Sequence, residues 1–347
     1  MNVLFATYDK NSSGIASYTY ELVKALKNHL NASLLTFEED TIKSLNLSSV
    51  EIINYKLRFK SRGLPFLNYL LNRNFLKRSV KLDKFDVIHE TLPPWGSLFN
   101  PKTLLTTKWG YVSYLKLAAI RTVGMSFPEN LGGLLVTLQH YLLDDLSFRR
   151  AKYIVQFSDV SKENFIPPVI EKGKLKKYPC GEKLKILFVS RDLNMPRKNL
   201  KALLMALKYI NRPVELHLVG SGRVEASSDV KLIGHGYLKR DEVLMLMQDV
   251  DLQVLPSTYE ELGFVGLEAY SVGLPLIVSN IPSFRAVFKV SPSFDPRNPL
   301  ELARLINSLS CEELEKLGRS EWEFLDLSNA FAVKKLLMIY NKLMHDD

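Results

Sequence analysis

The sequence holds only two cysteines in 347 residues, Cys180 and Cys311. That is too few for a disulfide framework, and their spacing is not that of a zinc site, so both are expected to be ordinary thiols in a reducing compartment. No run of eighteen apolar residues occurs, and the opening MNVLFATYDK lacks a basic region followed by a long apolar stretch. A cytoplasmic chain with no membrane span is therefore expected. Glycine and proline number only 17 and 16, and no segment repeats at a fixed period, which excludes collagen-like, low-complexity and solenoid architectures. Also missing are the G-x-x-x-x-G-K-[ST] phosphate loop, the G-x-G-x-x-G fingerprint and His-Glu-x-x-His.

What remains is an ordinary globular composition, with 46% apolar and 24% charged residues. The length exceeds the roughly 250 to 300 residues at which one hydrophobic core stops growing, so two domains are expected. The net charge of +9 is unevenly placed. Residues 1–180 hold 25 Lys+Arg against 15 Asp+Glu, whereas residues 181–347 hold 21 against 22. The basic half lacks interleaved aromatic platforms or a nucleic-acid-binding module, so no nucleic-acid partner is expected.

Short β-rich runs alternate with helical patterns: NVLFA, ASLLTF, VEIIN, FDVIHE, TLLTT and YIVQFS in the first half, then KILFVS, VELHLVG, VKLIG, DLQVLPS and PLIVS. Several are apolar throughout, as in strands covered on both faces, which predicts two α/β units with parallel sheets. The polar, basic segment EKGKLKKYPCGEK, residues 171–183, is the best linker. Domains are thus expected at 1–175 and 182–347, with the final helix able to cross back to the first. Two such doubly wound domains are expected to face each other across a cleft at the carboxyl ends of their strands.

Two stretches of the second half could line that cleft. KILFVS leads into SRDLNMPRKNLKALLMAL, which sets Arg191 at a strand end and Lys198 just before a helix with apolar positions Leu200, Leu203, Leu204 and Leu207. A solvated basic loop is the alternative reading. The second stretch is PSTYEELGFVGLEAYSVGLP. Here a strand ends at Ser257, a loop carries Glu260, and a helix opens near Gly263, so the amides of Leu262, Gly263, Phe264 and Val265 can receive phosphate. Glu268 falls among Phe264, Val265, Leu267 and Ala269, where an unpaired carboxylate is costly and a ribose with paired hydroxyls would satisfy it.

Pro256, Ser257, Glu260, Glu268, Ala269, Gly273 and Pro275 together resemble the retaining family-4 glycosyltransferases of the GT-B architecture, two Rossmann-like domains. FVSRDLNMPRKNL and VGSGR extend the resemblance, which is strong from about residue 185 to residue 310. It implies a glycosyltransferase using a nucleotide-sugar donor, with retention of configuration and neither metal nor cofactor. By the same resemblance Glu268 holds the ribose hydroxyls, Glu260 contacts the donor sugar, and Arg191 and Lys198 grip the pyrophosphate. These three, Glu260, Arg191 and Lys198, are the expected catalytic residues, with the phosphate oxygen of the donor as base.

In the first half YDKNSSGIASYTYELVKAL resembles the glycine-containing loop of the family, with Ser13 and Gly14 where a glycine pair is usual and Gly14 the expected donor contact. TLLTTKWGY places Lys108 where the family often has a histidine on the donor sugar. These departures leave open a silent sugar-nucleotide or glycan-binding protein, and a nucleotide-sugar epimerase of the same architecture is a second alternative. His89 is read as a satisfied structural histidine, and Asp249-Val250-Asp251 as a chance Asp-x-Asp.

Segment 56–84 carries nine Lys+Arg against one acidic residue, with Leu64, Leu67, Leu71, Phe75 and Leu76 near helical spacing. It reads as a peripheral contact with an anionic membrane at its inner face, or as an ordinary surface helix packed on the core. The acceptor is accordingly expected to be a glycan or lipid-linked glycan.

Overall fold

The computed structural model describes residues 1–7, 14–36, 47, 49–56, 58, 65–93, 95–97, 103–109, 119, 129–178, 181–224 and 230–345. The chain divides into two units, Met1–Val169 with Asn329–Asp347, and Ile170–Ser328.

In the first unit six parallel strands form one sheet: β1 (Asn2–Ala6), β2 (Asn31–Thr36), β3 (Glu51–Asn54), β4 (Val87–Glu90), β5 (Leu104–Lys108) and β6 (Tyr153–Gln156). Their order is β3-β2-β1-β4-β5-β6. Helices α1 (Gly14–Leu26), α2 (Pro65–Ser79) and α3 (Glu129–Arg150) accompany them. The expected inner face of α1 buries Tyr18, Leu22 and Leu26. Leu64 of the expected amphipathic segment and Ser13 lie outside the described residues.

The second unit contains β7 (Leu184–Asp192), α4 (Leu200–Leu207), β8 (Val214–Ser221), β9 (Lys231–Gly236), α5 (Arg240–Asp249), β10 (Leu252–Leu255), α6 (Phe264–Val272), β11 (Leu276–Ser279), α7 (Pro282–Val287), β12 (Ser293–Phe294), α8 (Pro299–Ser308) and α9 (Cys311–His345). The sheet order is β12-β11-β10-β7-β8-β9. Numbered within itself, each sheet therefore reads 3-2-1-4-5-6, the doubly wound order. Its direction of winding reverses between β1 and β4, and between β7 and β10, where such sheets bind ligands at their carboxyl ends. The central strands are buried, as expected where helices cover both faces of a sheet. On one face of the second sheet, Ile186, Phe188, Leu252 and Val254 pack with Leu203 of α4 and Leu302 of α8.

Segment 171–183, the expected linker, belongs to the second unit over most of its length. The amides of Gly173 and Lys176 donate to the carbonyls of Ser271 and Val272, at 2.8 and 2.9 Å. Lys176 Nζ donates to the Val250 carbonyl. Cys311 is disulfide-bonded, which corrects its reading as an ordinary thiol; Cys180 lies outside the described residues. The helix α9 belongs to both units, changing from the second to the first at Asn329. In its second-unit part Glu321 is buried, accepting from Ser291 Oγ at 2.6 Å and from the Leu276 amide at 3.1 Å. Burial drives its carboxyl well above the usual range.

Candidate functional site

The site grows from the two loops that leave β7 and β10, neighbours at the reversal point of the second sheet. After β7, Pro196–Lys198 form one short 3-10 turn, and Asn199 then takes a left-handed conformation, φ 56° and ψ 38°, before α4 begins. Asparagine tolerates that conformation better than most residues. Its amide Nδ2 donates to the carbonyls of Pro256 and Pro296, each at 2.9 Å. The Thr258 amide donates to the Arg197 carbonyl at 2.9 Å. The loop after β7 is thus fastened to the loop after β10, which fixes Arg197 and Lys198 relative to Glu260.

The charged groups meet there. Lys198 Nζ lies 2.5 Å and Arg197 Nη1 2.7 Å from the same oxygen of Glu260, Oε1. Among the described residues, none bonds the other oxygen, Oε2. Glu260 is only 8% exposed. Burial pushes its carboxyl upward, but the opposing charges and hydrogen bonds of Lys198 and Arg197 outweigh this and hold it below the usual range, hence ionised. Ser283 Oγ secures its backbone by donating to the Glu260 carbonyl at 2.7 Å.

Gly263 caps α6 from the left-handed region, φ 71°. A Cβ there would run into the Phe284 ring, so the position requires glycine twice over, for conformation and for space. The first amides of α6, those of Phe264 and Val265, have no partner within the helix. Leu262 precedes the helix and is buried. Glu268, in the second turn, is also 8% exposed, but it is not awaiting its first partner as the sequence suggested. Arg240 Nε donates to Glu268 Oε1 at 2.8 Å, and its guanidinium lies 5.6 Å from the centre of the Phe264 ring.

Arg191 is exposed at the carboxyl end of β7. Its backbone is held by the VGSGR stretch, since Ser221 Oγ donates to the Arg191 carbonyl at 2.7 Å. Gly220 permits this, because a Cβ on it would strike the Ser190 carbonyl. The structure therefore joins Lys198 with Glu260, carries Arg191 on the strand end that leads into the Lys198 loop, and adds two cations the sequence reading did not single out, Arg197 and Arg240. Arg197 stands next to Lys198 in sequence, and that adjacency was its one signal. Asp251 stands at the other end of the sheet, where its Oδ2 accepts from the Lys185 amide at 2.8 Å.

Gly14 and Lys108 belong to the first unit. Gly14 opens α1 and is exposed; Lys108 ends β5 and is exposed. His89 is buried in β4, with Nδ1 2.6 Å from Tyr340 Oη and Nε2 3.2 Å from Thr107 Oγ1. Burial lowers its pKa to about 3, so it stays neutral. Beside it the sequence reading passed over Glu90, which accepts from the Ser97 amide at 2.6 Å and Thr106 Oγ1 at 3.2 Å. Burial raises its carboxyl to about 7 against those hydrogen bonds.

Residues 183–311 match the family described as "Glycosyl transferases group 1". Over 108 residues the chain is 30% identical to the O-antigen biosynthesis glycosyltransferase WclY of Escherichia coli, covering 30% of this chain and 31% of that protein. Over 77 residues it is 40% identical to a glycogen synthase of Mycobacterium tuberculosis, covering 21% of this chain and 19% of that one. The matches thus span less than a third of either curated relative. The fold is similar to that of Anabaena Alr3699/HepE, solved in complex with UDP-glucose, with a TM-score of 0.65 at 15% identity over 99% of this chain and 98% of that one. The chain has the two-domain α/β fold of GT-B glycosyltransferases, and residues 183–311 of its second unit are similar to the glycosyl transferases group 1 family.

Proposed function

We propose that the protein is a glycosyltransferase that moves a sugar from a nucleotide-sugar donor to a glycan or lipid-linked acceptor, with retention of configuration and without a metal. The observation that carries this reading is Glu260: buried, ionised, anchored through Oε1 by Lys198 and Arg197, with Oε2 left for a ligand. A carboxylate so held accepts hydrogen bonds from sugar hydroxyls without moving. The neighbouring cations leave a net positive charge beside it, suited to the diphosphate joined to that sugar.

In this reading Arg191, Lys198 and the first amides of α6 stabilise the charge that grows on the departing nucleoside diphosphate, work that a divalent ion performs in other enzymes. Arg197 acts with Lys198, holding Glu260 and adding to the field. Glu268 binds the ribose hydroxyls, which must share or displace its bond to Arg240. The acceptor hydroxyl attacks from the face being vacated and passes its proton to a phosphate oxygen of the leaving group. The acceptor is met at the inner face of a membrane, through segment 56–84.

A thermal-shift screen against UDP, GDP, ADP and dTDP sugars, followed by an assay for nucleoside diphosphate release with candidate acceptors, tests the reading. At least one donor should stabilise the chain and be consumed only when acceptor is present. Release of free sugar without acceptor would instead mark an epimerase, and binding of every donor without turnover would mark a sugar-nucleotide-binding protein.

A further inference from the structure

Helices α2 and α3 are apolar on two faces. Inward, Leu76 of α2 and Leu143 of α3 join one core cluster with Trp95 and Leu104. Outward, α3 exposes Leu134, Leu135, Leu138, Tyr141 and Leu142, each between 44% and 53% accessible. Their spacing of one, four, seven and eight residues places them on a single stripe more than two turns long. α2 exposes Leu70 and Leu71. A contiguous leucine surface of this kind marks a site of contact.

Topology brings the two exposed sets to the same end of the unit. α2 lies in the crossover from β3 to β4 and α3 in that from β5 to β6, so both run against the direction of the parallel strands. They share one core cluster and pack on each other, hence lie on the same face of the sheet. The outward leucines fall in the amino-terminal two thirds of both helices, toward the carboxyl ends of the strands. Past those leucines α2 exposes Arg73, Lys77 and Arg78 beside the uncharged Asn74 and Ser79, and exposed Lys81 and Lys84 follow, with Asp83 the one acidic residue between Arg73 and Lys84. Asp145, beyond the α3 stripe, is paired with Arg149 at 2.8 Å.

We infer that the outward faces of α2 and α3 form one surface that docks on an anionic lipid bilayer. The α3 leucines enter the boundary between headgroups and acyl chains, and the α2 cations meet the lipid phosphates. Apolar area alone would suit a protein partner equally, but the concentrated positive charge beside it selects a negatively charged surface. This deepens the membrane contact of the proposed function by giving it an apolar anchor outside segment 56–84. Vesicle binding needs neither donor nor acceptor, so it stands or falls apart from the transfer reaction.

The test is sedimentation of the full chain with phosphatidylcholine vesicles, with and without phosphatidylglycerol, at low and high salt. The parent should pellet with anionic vesicles at low salt. The paired variant L138E/L142E and the variant R73E/K77E/R78E/K81E should each lose at least about tenfold in partitioning. All of these positions are exposed, so far-UV circular dichroism should stay parental. A parent that stays in the supernatant overturns the inference, as does equal binding to neutral vesicles or a leucine variant that pellets like the parent. A dimer seen by analytical ultracentrifugation, abolished by the leucine substitutions while vesicles retain nothing, would reassign the surface to a second copy of the chain.

Discussion

Arg240 Nε and Glu268 Oε1 lie 2.8 Å apart, joining the first turn of α5 to the second turn of α6 across 28 positions of sequence. The bond helps to satisfy a carboxylate set in the apolar surroundings of α6. It also means that a nucleotide reaching Glu268 meets an arginine already there. Arg240→Ala should therefore lower stability by about 1.5 to 3 kcal/mol, the worth of a hydrogen bond between charged groups. Nucleoside diphosphate should restore part of that loss, raising Tm more in the variant than in the parent. A ligand-induced shift equal in both would disconnect Arg240 from the nucleotide site.

Glu260→Gln keeps the shape but removes the charge that Lys198 and Arg197 hold. Turnover should fall more than nucleoside diphosphate affinity, read as kcat against Kd from calorimetry. Lys198→Ala, Arg197→Ala and Arg191→Ala should each slow transfer by about a hundredfold, the usual cost of removing a group that stabilises developing charge.

Treatment with EDTA should leave the transfer rate unchanged. An absolute requirement for magnesium or manganese in a metal-depleted assay would contradict the metal-free reading. It would also demand a ligand set other than Asp251, whose carboxylate caps the Lys185 amide at the far end of the sheet.

Glu90 supplies a pH prediction. Its folded carboxyl titrates at about 7, raised by burial from an ordinary 4.5, so the folded state holds the proton more tightly than the unfolded state. Stability from this group is fully present below the ordinary value and is lost as pH rises to about 7, on the order of 3 kcal/mol in all. Glu90→Gln should flatten that decline in urea-denaturation free energies between the two values. Glu321, displaced in the same direction, remains in both proteins, so the difference between the curves is the readout.

Gly263→Ala should cost about 1 to 3 kcal/mol, because the left-handed backbone and the Phe284 ring both oppose a side chain. A thermal melt checks it. Donor affinity should fall as well, since the same residue orients the first amides of α6.

The strands were readable because burial on both faces leaves continuous apolar runs such as KILFVS and PLIVS, and every run expected as a strand is one. β12 was not, as its two residues, Ser293 and Phe294, carry no period at all. At the site the carboxylates were visible from their spacing and their apolar company. Of their cation partners, Lys198 was visible too, but its pairing with Glu260 was not, and Arg197 and Arg240 were not singled out at all. Arg197 and Lys198 reach Glu260 across more than sixty positions, and Arg240 sits in a polar helix start where an arginine looks like any solvated cation. Only the left-handed Asn199 and the reversal point of the sheet bring those distant segments into register. The α3 stripe escaped for a different reason: leucines on both faces of a helix blur the amphipathic period that sequence reading relies on.

The first unit is discontinuous, and this governs how the protein can be made. Tyr340, fully buried, belongs to the last nineteen residues yet holds His89 in the central part of the first sheet. A ribosome that has released residues 1–169 has therefore not yet supplied everything that this unit encloses. The amino-terminal half must wait, incompletely packed, until the final turns of α9 emerge, whereas Ile170–Ser328 is contiguous and can close first. Severing the chain after Val169 would part the first sheet from Tyr340, the residue that closes over His89.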